Sequence, residues 1–148
     1  TRAMNNPLIE SMVKKRKSRF RFRPIPKHDS NMGRFLEVLE NKEFLALLFD
    51  QHAGEYGMMI DFFGHPASTF KTPPMLHLVT RTPLCFASCR RIGPMKFKIC
   101  TSNLINQPRS GNKNEDLKAI LGSLNRDLEA AIRKDPTQYL WGHRRWRD

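Results

Sequence analysis

A chain of 148 residues is long enough to bury one core, and 39% hydrophobic with 27% charged residues excludes a compositionally disordered polymer. The charge is lopsided: 26 Lys and Arg against 14 Asp and Glu give a formal +12 and a pI near 10.2, so the surface attracts anions such as nucleic acid, acidic proteins, phosphorylated lipids or anionic membranes. No apolar run approaches the roughly 20 residues of a spanning helix, no signal-peptide pattern opens the chain, and Cys85, Cys89 and Cys100 form no CxxC pair, which predicts reduced, partly buried thiols and no metal site.

Asn6 before Pro7 has the form of an N-cap followed by proline at the first helical position, and Leu8, Ile9, Met12 and Val13 then mark one helical stripe. The helix is short and ends basic. From Lys14 to Lys27 the chain carries no acid, and within that run Arg19, Arg21 and Arg23 alternate with Phe20 and Phe22, which predicts a two-faced strand ended by Pro24. Asp29 or Ser30 is placed to cap a second helix, whose Met32, Phe35, Leu36 and Leu39 follow helical spacing. The unbroken apolar run from Phe44 to Phe49 is too short for an independent helix and suits a strand buried on both faces of a parallel sheet. Polar residues at the end of such a strand face the ligand crevice, so Asp50 and Gln51 become candidate site residues; as a strand-ending cap they would have no such role.

After the loop HAGEYG, MMIDFFG reads as a strand and HPAST as a turn. Residues 71–80 predict a short helix with Pro73 and Pro74 in its first turn. LCFASC reads as a further strand, Gly93 and Pro94 as a turn, and Met95, Phe97 and Ile99 alternate with Lys96 and Lys98, so the pair predicts an antiparallel hairpin at a sheet edge. A polar loop fills 103–114. Asn112 and Glu115 then resemble a capping box for a helix whose Leu117, Ile120, Leu121, Leu124, Leu128 and Ile132 share one face. Asp135 and Pro136 stop it, and a final short helix is expected through YLWGHRR. Helices alternating with strands and no evident linker predict one α/β unit over residues 1–148, with a mixed, mainly parallel sheet flanked by helices.

Two motifs bear on chemistry. His143 and Asp148 satisfy H-x4-D, the spacing of a histidine base and its orienting carboxylate, but bulky Arg and Trp fill the interval and Asp148 is the last residue, so coincidence explains them better. The basic run with Phe20 and Phe22 has the composition of a single-strand nucleic-acid platform, yet the alternation separates rings from cations, which suits a basic face docking an acidic partner or phospholipid. His28, His65 and His77 have no sequence partners, and neither a Gly-rich phosphate loop nor a GxSxG elbow occurs.

Several stretches, in order, carry a resemblance: TRAMNNPLIE, LLFDQHAGEYGMMIDFFGHPAST, LVTRTPL and LEAAIRKDPTQYLWGHRRWR. The chain resembles the C-terminal half of the bacterial lipid A biosynthesis acyltransferases, the lauroyl and myristoyl transferases within the lysophospholipid acyltransferase superfamily. The resemblance implies part of a glycerolphosphate-acyltransferase-like fold that moves a fatty acyl chain from acyl carrier protein, or acyl-CoA, to a hydroxyl of a phosphorylated glycolipid at the cytoplasmic face of the inner membrane. It implies no resident cofactor and no metal, with acyl carrier protein, the glycolipid and an anionic membrane surface as partners; nucleic acid is not among them. By the same resemblance Arg2 holds a substrate phosphate, Asp50 and Gln51 face the active site, Thr69 lies near the substrate cleft, and Arg144 and Arg145 belong to the HRRWR block and face phosphate. The family's catalytic H-x4-D/E histidine and its membrane anchor are expected upstream of Thr1, so these residues alone are expected to be inactive. A basic nucleic-acid module and a truncated, non-catalytic paralogue remain the alternative readings.

Overall fold

The computed structural model describes residues 6–20, 22–26 and 30–147, and the chain divides into two units, Thr1–Leu45 and Ala46–Asp148, where the sequence reads as one. In the first, helix α1 (Pro7–Arg19) starts as expected, with Asn6 Oδ1 accepting the amides of Leu8 at 3.0 Å and Ile9 at 3.4 Å. It continues through Arg19 and Phe20 is a turn residue, so the strand expected over Arg19–Arg23 is not formed, with Arg21 outside the described residues. A helix closes its backbone hydrogen bonds locally, whereas a lone two-faced strand needs a neighbour. Helix α2 (Met32–Glu40) is capped by Asn31, whose Oδ1 accepts Arg34 N–H at 2.9 Å, and not by Ser30; Asp29 lies outside the described residues. Phe35 is its buried anchor.

The apolar run at 44–49 also departs from expectation. It has no regular secondary structure and pairs with no strand among the described residues; Phe49 is buried, Leu45 and Leu47 are half-buried, and Phe44 and Leu48 are exposed. One face is therefore covered, not two. Among the described residues the β structure consists of two antiparallel two-stranded sheets, so helices and strands are mixed there without the mainly parallel sheet that a doubly buried run would have required.

The first sheet joins β1 (Met58–Phe62) to β2 (His65–Thr69), with Phe62 opposite His65. HPAST is thus a strand, and the turn is Phe63–Gly64, with φ of 55° and 81°. Positive φ at both positions of a two-residue loop is the type I′ pattern that matches strand twist. Helix α3 (Thr72–Thr80) carries Pro73 and Pro74 in its first turn, as expected. The second sheet joins β3 (Ala87–Gly93) to β4 (Lys96–Thr101), the expected hairpin, beginning later than LCFASC. All three cysteines are free and exposed, correcting the partly buried thiols read from their apolar surroundings.

Helix α4 (Lys113–Lys134) organises this unit. Asn112 Oδ1 accepts the amides of Asn114 at 3.1 Å and Glu115 at 3.4 Å, and the predicted stripe from Leu117 to Ile132 is buried, with Ile120 to Ile132 clustered with Phe49, Ile60, Phe62 and Ala67. Polar residues on the same face fasten neighbouring backbone: Asp116 accepts Ser110 N–H at 2.9 Å, Asn125 Nδ2 donates to Asp61 O at 2.8 Å, and Glu129 Oε1 accepts Phe63 N–H at 2.7 Å. The last bond pins the I′ turn. Leu124→Ala should remove a fully packed side chain and lower the free energy of unfolding by about 3 kcal/mol, measured by urea denaturation.

Beyond Asp135 the helix expected through YLWGHRR does not form. A single 3-10 turn, Pro136–Gln138, is followed by irregular chain to Arg147. Its side chains find partners on other elements: Tyr139 reaches Asp50 O, and Trp146 Nε1 donates to Phe62 O at 3.1 Å.

Candidate functional site

The C-terminal segment lies across the end of β2, and Arg145 is the residue that joins them. Its side chain is fully buried; Nη1 donates to Ser68 O, and Nη2 donates to Thr69 Oγ1 at 2.8 Å. The guanidinium carbon stands 5.2 Å from the Phe62 ring centroid, and Trp146 stacks on Phe62 at 5.4 Å and 26°. Thr69 is itself fully buried and donates to Ala67 O at 2.9 Å. Burial holds the Arg145 pKa below its ordinary value, while Tyr139 and Asp50 oppose that shift. No carboxylate of the described residues forms an ion pair with it. Two NH groups of the fork therefore serve the fold, and the planar geometry of arginine suits two acceptors on one strand end.

The loop before β1 is clasped to the same place. Ala53 N–H donates to Ser68 O at 3.2 Å, and Ser68 Oγ donates to Gly54 O at 2.6 Å. Gly57 passes so close that an added Cβ would meet Ser68 Oγ at 2.0 Å and Ala53 Cβ at 2.8 Å. Glycine is required here by proximity.

Asp50 is half-buried and its carbonyl accepts from the Tyr139 hydroxyl at 3.4 Å. Tyr139 has its pKa raised above 10.0 chiefly by burial and then by Asp50, with Arg145 acting the other way. The folded chain disfavours the phenolate, so this contribution to stability is full below the pKa of an unfolded tyrosine and is lost as pH climbs through the folded value. A phenolate absorbance titration should show Tyr139 ionising above the ordinary tyrosine range, and Tyr139→Phe should abolish that late phase.

His143 has a different task from general-base catalysis. Its Nε2 accepts the amide N–H of His52 at 2.9 Å, which occupies the lone pair a base would use and places any ring proton on Nδ1. Asp148 lies outside the described residues, as does Arg2. Of the residues singled out in the sequence, Thr69 and Arg145 meet directly and Asp50 joins them through the Tyr139 neighbourhood, whereas Gln51 and Arg144 are exposed. Ser68 and the His52–His143 bond escaped the sequence reading. The HRRWR block was the available signal, but spacing does not tell which arginine turns inward.

Beside this cluster runs a groove of about 600 Å³, walled by Leu47, Phe49, Phe86, Leu128 and Ile132 and reaching Asp50 and Tyr139. Among the described residues no group of three or more His, Cys, Asp or Glu is placed to hold a metal ion, and no helix is long and apolar enough to cross a membrane.

The family model for bacterial lipid A biosynthesis acyltransferase matches residues 1–148, and the chain belongs to that family. A comparison with curated proteins finds no match.

Proposed function

We propose that the chain forms the acceptor-side part of a lipid A acyltransferase that moves a fatty acyl group from acyl carrier protein, or from a CoA thioester, to a hydroxyl of a phosphorylated glycolipid at the cytoplasmic face of the inner membrane. The observation that carries this reading is an apolar groove ending at Asp50 and Tyr139 in a chain matched to the family over residues 1–148. The groove has the chemistry to hold an alkyl chain, and its polar end has the chemistry to orient a hydroxyl.

The reaction is direct transfer. A base takes the acceptor hydroxyl proton, the oxygen attacks the thioester carbonyl, and the thiolate leaves with a proton. Such base assistance contributes about 10²- to 10⁴-fold in rate. Asp50 and Gln51 orient the acceptor, and Arg2 and Arg144 hold its phosphate. Thr69 and Arg145 keep the wall of the cleft in place, since two of the arginine's donor groups are already engaged. The proposed base is the histidine of the family's H-x4-D/E motif, which residues 1–148 contain only as His143 and Asp148. Because the Nε2 lone pair of His143 is engaged, purified residues 1–148 should give no turnover with an acyl carrier protein donor; measured turnover would overturn that assignment.

The binding role is testable without turnover. Ala131 lines the groove, and Ala131→Trp should fill it and weaken binding of a lauroyl-pantetheine probe by roughly tenfold, the scale of one misfitting group in an apolar site. Unchanged binding would remove the groove from the acyl path. A nucleic-acid module would instead bind oligonucleotides with a log affinity falling steeply with log salt.

A further inference from the structure

The β3–β4 hairpin exposes large apolar side chains beside a cluster of cations. Its register sets Arg90 opposite Lys98 on one face and Arg91 opposite Phe97 and Cys89 opposite Ile99 on the other, and Arg90, Lys98 and Cys89 border the groove. Phe97 is 61% exposed and Ile99 73%, and at the tip Ile92 is 56% and Met95 90% exposed. None of these four borders the groove. Exposed apolar side chains on β4 and at the tip therefore stand among the cations of the same hairpin, a mixed patch rather than singly scattered residues.

Charge indicates what covers it. From Phe62 to Asn114 no Asp or Glu occurs, while Arg90, Arg91, Lys96 and Lys98 stand on the hairpin itself. Facing a second copy of the chain, the patch would bring like charges together around Arg91. An acidic protein would satisfy the cations, but it would also have to cover the apolar tip. A bilayer containing anionic lipid offers both environments at adjacent depths: phosphates for Arg and Lys, and the acyl boundary for Ile, Met and Phe.

We infer that the β3–β4 hairpin is a membrane wedge, inserting Ile92, Met95, Phe97 and Ile99 into the interfacial layer of an anionic bilayer while its lysines and arginines engage lipid phosphates. This deepens the membrane-surface part of the proposed function and rests on it for biological context, but vesicle binding requires no acyl transfer, so the two fail separately. It also places the groove mouth, bordered by Arg90 and Lys98, beside the lipid surface.

The test is co-sedimentation of residues 1–148 with phosphatidylcholine vesicles, with and without phosphatidylglycerol. Binding should require phosphatidylglycerol and decline with salt. The double variant Phe97→Ser/Ile99→Ser should weaken it by roughly tenfold or more, and Lys96→Gln/Lys98→Gln by on the order of tenfold. Leu8→Ser/Met12→Ser, equally exposed on α1, should leave it within about twofold. These side chains lie outside the core, and circular dichroism verifies that each variant folds. In Phe97→Trp, emission beyond that of the parent should be quenched by brominated phosphatidylglycerol. Undiminished binding by Phe97→Ser/Ile99→Ser, absence of the added quenching, or a concentration-dependent dimer dissolved by the same variant would each overturn the wedge.

Discussion

Arg145→Ala is expected to lower the free energy of unfolding by about 3–5 kcal/mol, a large share of the 5–15 kcal/mol typical of a small domain. The side chain is fully buried, so truncation leaves a cavity beside Phe62 and removes both donors to β2. The acceptors are not wholly stranded, however. Ser68 O retains the amide of Ala53 at 3.2 Å, and Thr69 Oγ1 still donates to Ala67 O at 2.9 Å. Lost packing should therefore outweigh lost hydrogen bonding. Arg145→Met, which keeps most of the volume and avoids burying a charge, should recover more than Arg145→Lys, whose single ammonium cannot reproduce the fork. Urea denaturation of the three variants decides it: recovery by Lys but not by Met would show that the guanidinium's electrostatics hold the segment.

Gly57→Ala has the second large effect. The Gly57 backbone has φ of −75°, which any residue adopts, so the cost is purely one of space. A Cβ would stand 2.0 Å from Ser68 Oγ, 2.8 Å from Ala53 Cβ and 3.1 Å from Thr69 N. Two of these neighbours are side-chain atoms, but Thr69 N belongs to a strand held by β1, so the loop must move instead. We expect about 2–4 kcal/mol of destabilisation, the upper range for overpacking a filled site. In Gly57→Ala/Ser68→Ala the closest clash disappears, and the double variant should be more stable than the sum of the single losses predicts. Simple additivity would mean that Ser68 Oγ already swings aside in Gly57→Ala, leaving Ala53 and the β2 backbone as the obstacle.

Both variants act on the cluster beside Asp50 and Tyr139, so they also separate stability from binding. A version of Arg145→Met that folds at low temperature should retain lauroyl-pantetheine binding, because the residue supports the cleft and does not line the groove. Loss of binding in that folded variant would give Arg145 a direct role in the ligand site.

Local signals were legible where short-range physics dominates. Asn6 with Pro7, the Asn112 cap, the Leu117–Ile132 stripe, the prolines of α3 and the 87–101 hairpin form as their sequence patterns require, because caps, φ restrictions and a strong helical face act within a few residues, although the Asn112 amide donates to Ser110 Oγ and not to Glu115, so the capping box is half made. The family was legible too, since blocks such as FFGHPAST and HRRWR keep their order. What could not be read was anything dependent on a distant partner. Among the described residues RFRFR has no neighbouring strand, and its Arg19 is absorbed into α1; 44–49 is covered on one face only; HPAST pairs as β2 because Phe63 and Gly64 take the turn. The HRRWR arginines diverge for the same reason. Arg144 stays in solvent and Arg145 enters the interior, where Ser68 and Thr69, more than seventy residues earlier in the chain, supply acceptors that spacing along the sequence does not reveal.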